Sequence, residues 1–177
     1  MCCIGNLSGQ IATLTNPTSQ TEFALSAGGN AYIPLEFGKL LRFLVVGAVN
    51  FDSGSSDGDN TTYNVLIGDP TNIAGAVSIQ DDAIAYTPSV TYRPFILNYL
   101  LYLDSTKNKI YAWPADDEVT GNLGGLSISQ NFSGGTNQSI SGISKYNIFM
   151  TEQFSASHSG NNVVLNTFKV EEVLKNN

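Results

Sequence analysis

Few side chains in this sequence are suited to chemistry, and their spacing limits what they could do. The single histidine, His158, sits in Ser155-Ala156-Ser157-His158-Ser159-Gly160. Serine nucleophiles need an imidazole that is oriented by an acid and can reach a hydroxyl brought from elsewhere in the fold. Adjacent serines do not supply that geometry, and no Gly-x-Ser-x-Gly elbow accompanies them. His158 is therefore expected to be a loop residue without a catalytic role. Paired carboxylates could cleave glycosides, but Glu22, Glu36 and Glu152 are isolated in sequence, and no Glu-x-Asp-x-x-Glu strand motif is present. Enzymatic activity is not expected.

Two kinds of ligand chemistry stay open. Hard cations take several oxygen donors on a flexible backbone, and Asp57, Asp59 and Asn60, with Asp52 nearby, offer them. No cofactor is expected beyond a calcium ion that this loop could hold; a solvated acidic turn is the simpler reading. Asp116-Asp117-Glu118 is a poorer second candidate. Sugars bind on exposed aromatic rings beside polar groups, and Tyr111 and Trp113 are candidates for such a platform; the competing role for both is core packing. Cys2 and Cys3 are adjacent, a poor geometry for a mutual bridge, and are read as free thiols. With Ile4 and Leu7 they form a small apolar cluster ahead of the first clear strand. Residues 1–8 are accordingly expected to act as an N-terminal contact arm against a neighbouring subunit, or else to fold back on an edge strand of their own sheet.

The elements that must position these groups are strands. Apolar residues make up 42% of the 177, but charged residues only 13%, about half the usual share. Asn, Ser, Thr and Gly supply the polar surface, and these favour turns and strand edges over helix interiors. Short β-branched and aromatic runs alternate with Gly, Asn, Asp and Ser clusters, which is the all-β pattern. Strands are predicted at 10–15, 22–26, 41–51, 62–67, 76–80, 95–104, 109–113, 126–130, 139–143, 147–154 and 163–170. Helical turns are expected only at 36–41 and 170–175. The clearest signal is a hairpin. Tyr99, Leu101 and Leu103 share one face, Leu100 and Tyr102 the other, and Ser105–Asn108 turns the chain back into Lys109–Trp113. With both faces apolar, the first strand of the pair should be central or covered on both sides.

The net charge is −7 and the eight Lys and Arg are scattered. An acidic field repels polyanions, so neither nucleic acid nor an anionic membrane is an expected partner. The longest apolar run, Leu40–Val49, is interrupted by Arg42 and falls short of the ~20 residues that span a bilayer. No basic segment leads into a long apolar one at the start, so no secretory signal is read in the chain as given. Length and the lack of a linker point to one antiparallel two-sheet sandwich over residues 1–177.

Three stretches resemble concanavalin A-like (laminin G-like) jelly rolls. Arg42-Phe43-Leu44-Val45-Val46 is similar to an early core strand, Leu100–Trp113 to the central hairpin, and Asn162–Val170 to the closing strand, with Asn166-Thr167 where the family often has Asp-Asn. The resemblance implies a jelly-roll sandwich and leaves function open, since such folds include lectins, hydrolases and inert structural parts. Low charge, Asn/Ser/Thr/Gly-rich strands and the lack of a catalytic set favour a structural protein. The expected setting is a virion or extracellular surface, as a decoration, fibre or capsid-accessory part working with protein partners in a symmetric or repeating assembly. The alternative is a carbohydrate-binding module directed at surface glycans.

Overall fold

Alternation of apolar and polar residues along the strands builds two antiparallel sheets whose inner faces share one core. The computed structural model describes residues 2–56, 58–86, 92–106, 108–114 and 136–173. In chain order the strands are β1 (Cys2–Asn6), β2 (Leu14–Thr15), β3 (Thr21–Glu22), β4 (Tyr32–Pro34), β5 (Leu40–Asn50) and β6 (Asn60–Gly68). They continue with β7 (Val77–Ala85), β8 (Tyr92–Asp104), β9 (Lys109–Pro114), β10 (Thr136–Ser139), β11 (Asn147–Phe154) and β12 (Asn162–Glu172). A 3-10 turn, Ile73–Gly75, is the only helical element among the described residues.

The larger sheet runs β1-β12-β5-β8-β9-β10, with β2 pairing the same edge of β12 that β1 uses. The smaller runs β3-β11-β6-β7, with β4 beside β3 on one edge of β11. Odd-numbered residues of β5 and β8, from Phe43 to Val49 and from Phe95 to Leu103, face Tyr63, Val65, Ile67, Ile148, Met150 and Phe154 of the other sheet. Tyr63 stacks on Phe95 across the core at 6.0 Å, and Phe51 meets Phe154 edge to face at 5.7 Å. Such ring pairs add about 0.5–1.5 kcal/mol each to the burial they bring.

One irregularity decides the register of β12. A bulge between Leu165 and Thr167 leaves Asn166 exposed, so Val163 and Leu165 face inward before it and Phe168 and Val170 after it. Gly47 lies opposite, where a Cβ would stand 2.7 Å from the Phe95 ring and 2.8 Å from the Val164 carbonyl. Glycine is required there by close approach.

Several expected boundaries move. Residues 36–41 and 170–175 were expected to turn helically, but β5 starts at Leu40 and β12 continues to Glu172, both held by cross-strand pairing. The 10–15 and 22–26 strands shrink to β2 and β3 plus the bridge Ile11–Leu25. The 139–143 strand lies earlier, as β10, and the 126–130 strand falls outside the described residues. The hairpin forms with β8 central between β5 and β9.

Within the chain, the N-terminal segment folds back on an edge strand of its own sheet. β1 pairs with β12 from Cys2–Glu172 to Asn6–Lys169. Ile4 and Leu7 pack on the chain's own core, and Cys3 is exposed. Deleting residues 1–8 should therefore destabilise the isolated chain itself. Loss of two partly buried aliphatic side chains and one edge of β12 should cost about 2–3 kcal/mol. In a thermal melt, that corresponds to a fall of roughly 5–10 °C for a domain of this size. An unchanged midpoint would mean that the segment contributes nothing to the fold.

Candidate functional site

The acidic loop after β5 is tied into its neighbours by backbone amides. Asp52 Oδ1 accepts the Gly54 N–H at 2.7 Å, and its Oδ2 accepts that of Gly160, also at 2.7 Å. These two bonds hold its carboxyl below the usual carboxylate range. Asp59 Oδ2 accepts from Ser56 N at 2.8 Å and lies 3.2 Å from His158 Nε2. Asn60 contributes its backbone N–H to Ser155 Oγ. Buried Asn161 completes the knot, its Oδ1 accepting the Asp52 N–H and its Nδ2 donating to the Ala156 carbonyl. The loops before and after the knot are thus joined through carboxylates aimed at N–H groups. Among the described residues, no group of three His, Cys, Asp or Glu is placed to hold a metal. Asp57 and the 116–118 acids lie outside the described residues. His158 is engaged by Asp59 on its ring and by Asn16 on its backbone.

The outer face of the seven-stranded sheet has a different character. Tyr111 and Trp113 both project from it, their rings nearly parallel at 5.8 Å and 9°. Register sets Trp113 beside Leu100 and Arg42, and Tyr111 beside Tyr102 and Leu40. Further along, Ile96 stands against Val46 and Tyr92 against Asn50. Arg42 Nε donates to Asn98 Oδ1 at 2.9 Å, tying β5 to β8 within this face. Among the described residues, five large hydrophobics are exposed, and four of them lie here: Tyr92 at 55%, Ile96 and Trp113 at 40%, and Leu40 at 38%. Trp113, with Tyr111 stacked on it, is therefore part of a wider apolar surface rather than of the core. Its other members, Tyr92, Ile96 and Leu40, come from strands whose pairing no local pattern states.

The smaller sheet holds a polar group that sequence reasoning left as an isolated acid. Glu152 shares its parity with Ile148, Met150 and Phe154 on β11, so it projects into the sandwich, fully buried. That parity was the available signal. Thr61 Oγ1 lies 2.5 Å from Glu152 Oε1 and 3.2 Å from the Gln153 carbonyl. A hydroxyl has one hydrogen and cannot donate to both. Protonation of Glu152 resolves this: its O–H donates to Thr61, which donates onward to the carbonyl. Burial pushes the carboxyl up to about 8, against a smaller opposite pull from Thr61. Arg93, on the inner face of β8, is buried too, and burial lowers its pKa.

No protein-family model, curated protein or solved structure matches the chain. The class its own geometry defines is an all-β antiparallel sandwich with an apolar, aromatic outer face on one sheet.

Two outcomes follow for solution work. Glu152 has a folded pKa raised above its ordinary 4.5, so the folded state keeps a proton that the unfolded chain has released. Its contribution is fully present below pH 4.5 and is lost as pH rises through about 8. At about 1.4 kcal/mol per pKa unit, the loss across that window amounts to several kcal/mol. Glu152→Gln, which can still donate to Thr61, should flatten the decline in urea-melt stability between these limits; a variant with the wild-type slope would refute the assignment. Calcium is the second case. With Asp52 and Asp59 committed to amide donors, millimolar calcium should leave the melting temperature where EDTA leaves it, whereas selective binding would raise it.

Proposed function

We propose that this chain is a non-enzymatic assembly protein that docks through the outer face of its seven-stranded sheet. Its setting would be a virion or extracellular surface, as a decoration, fibre or capsid-accessory part. The observation that carries this reading is the gathering of Tyr92, Ile96, Trp113 and Leu40 on one sheet face. Contiguous apolar patches beyond a few hundred Å² are uncommon on monomers and mark interaction sites. Charge supports another copy as the partner. The chain carries −7 overall, whereas this face sets Arg42, Lys109 and Lys169 against Asp104 and Glu171. With three cations against two anions, this face is not opposed by the acidic remainder of a second molecule, and a contact between unlike surfaces repeats from copy to copy. Cys3, exposed on edge strand β1, lies at the margin of the same sheet. The jelly-roll reading belongs to this proposal as well. Its support is the path from β5 to the other sheet for β6 and β7, back for β8 to β10, and across again for β11 before β12.

A second reading, carbohydrate binding at Tyr111 and Trp113, is favoured by the parallel rings beside the Arg42–Asn98 pair. Sedimentation equilibrium separates the two. The chain should associate with rising concentration, and Ile96→Lys should weaken association about tenfold or more by placing an unpaired charge in the contact. Its melting temperature should barely move, since exposed substitutions usually stay within about 0.5 kcal/mol. A strictly monomeric chain, or an Ile96→Lys variant that associates like wild type, would end the assembly proposal.

A further inference from the structure

The fifth exposed hydrophobic, Tyr32 at 42%, lies away from the docking face, on edge strand β4 of the smaller sheet. It borders an open groove of about 670 Å³ between β4, the 69–71 turn and the segment leading into β11. Small-molecule sites fall in the range of roughly 300–1,000 Å³ and combine apolar walls with a few placed polar groups. This groove has both. Pro34, Leu35 and the Tyr32 and Tyr146 rings give apolar surface. Tyr146 is braced edge to face against Phe37 at 4.6 Å, and the Leu35 N–H donates to the Tyr146 carbonyl at 2.7 Å.

The polar wall is a surface ion pair. Lys145 Nζ lies 2.8 Å from Asp69 Oδ2, while Asp69 Oδ1 accepts from both the N–H and the hydroxyl of Thr71. Lys145 and Thr71 hold the Asp69 carboxyl down to about 2, so the carboxylate stays ionised over the whole neutral range. A neutralised pair has little attraction for either an anion or a cation. It does present a donor and an acceptor side by side, which matches adjacent hydroxyls on one sugar ring: one oxygen accepts from Lys145 while its neighbour donates to Asp69. Tyr32 lines the same groove as this pair, and an aromatic face suits the C–H face of a pyranose.

We propose that the groove between β4 and the 69–71 turn binds a neutral saccharide, with a pyranose ring on Tyr32 and adjacent hydroxyls on Lys145 and Asp69. The site is on the opposite sheet from Trp113 and does not depend on the assembly reading.

The test uses the full chain with methyl glycosides of glucose, galactose, mannose and N-acetylglucosamine, read by saturation-transfer NMR and titration calorimetry. At least one should bind with millimolar affinity. Tyr32→Ala and Lys145→Ala should each weaken it about tenfold. Tyr32→Phe, which keeps the ring, should retain most of it, and thermal melts should show all variants folded. Trp113→Ala should leave binding unchanged. The proposal fails if none of the four glycosides binds, if Tyr32→Ala and Lys145→Ala bind like wild type, or if Trp113→Ala alone abolishes binding. Failure of association in the sedimentation experiment would not touch it.

Discussion

Strand β5 is bonded along its whole length to β8 and on its other edge to β12, and the rest of the molecule is arranged around that three-strand unit. Backbone groups at the centre of a sheet have no recourse to water, so each must be paired by a neighbour in register. That register then fixes which side chains line the core. Phe43, Val45 and Val49 are inward on β5, and antiparallel pairing brings Tyr99, Leu97 and Arg93 inward opposite them. The same pairing necessarily puts Leu44, Val46, Ile96 and Leu100 on the outside. An apolar outer face on these strands is thus a choice of sequence made at positions the core does not use. It is the feature that most needs a functional explanation.

Polar groups are handled in two ways. At the loop end of the sandwich, Asp52 and buried Asn161 join segments distant in sequence through hydrogen bonds to amides, and Asp59 caps its own loop at Ser56. Charge there is inexpensive and the geometry is fixed by several donors. Inside the sandwich, Glu152 avoids the cost of a buried charge by keeping its proton, with Thr61 as the partner of its Oε1. Packing Glu152 among Met150, Phe154 and Tyr63 uses a carboxylic acid as a neutral side chain. The stability of the sandwich is thereby coupled to the acidity of its surroundings.

Long strands were legible in the sequence because burial repeats at every second residue over enough positions to be counted, as in Tyr99, Leu101 and Leu103. The short strands were not. β2, β3 and β4 hold two or three residues each, too few for a period, and exist because β12 and β11 offer edges to pair with. β1 read as a loose apolar cluster for the same reason: Cys2–Asn6 carries no alternation, and its partner lies at the other end of the chain. The bulge at Asn166 hides one parity change inside an apolar run. At the candidate sites, Tyr111 and Trp113 were legible as aromatic candidates from residue type alone. Residue type could not show that Gly160 supplies an amide to Asp52, or that Lys145 meets Asp69, because those contacts depend on how distant loops come together.

The position of β12 between β1 and β5 has a consequence for how the chain must acquire its structure. β1 is made first and β5 soon after, yet neither can complete its pairing until the final described strand has been synthesised. On the ribosome, the apolar faces of β5 and β8 would be finished long before the strand that covers one of their edges. Contacts of such wide sequence separation fold slowly and leave open edges exposed meanwhile. A nascent chain of this design has every reason to remain uncommitted until β12 emerges, and its hazard during synthesis is pairing with the unfinished edge of another copy.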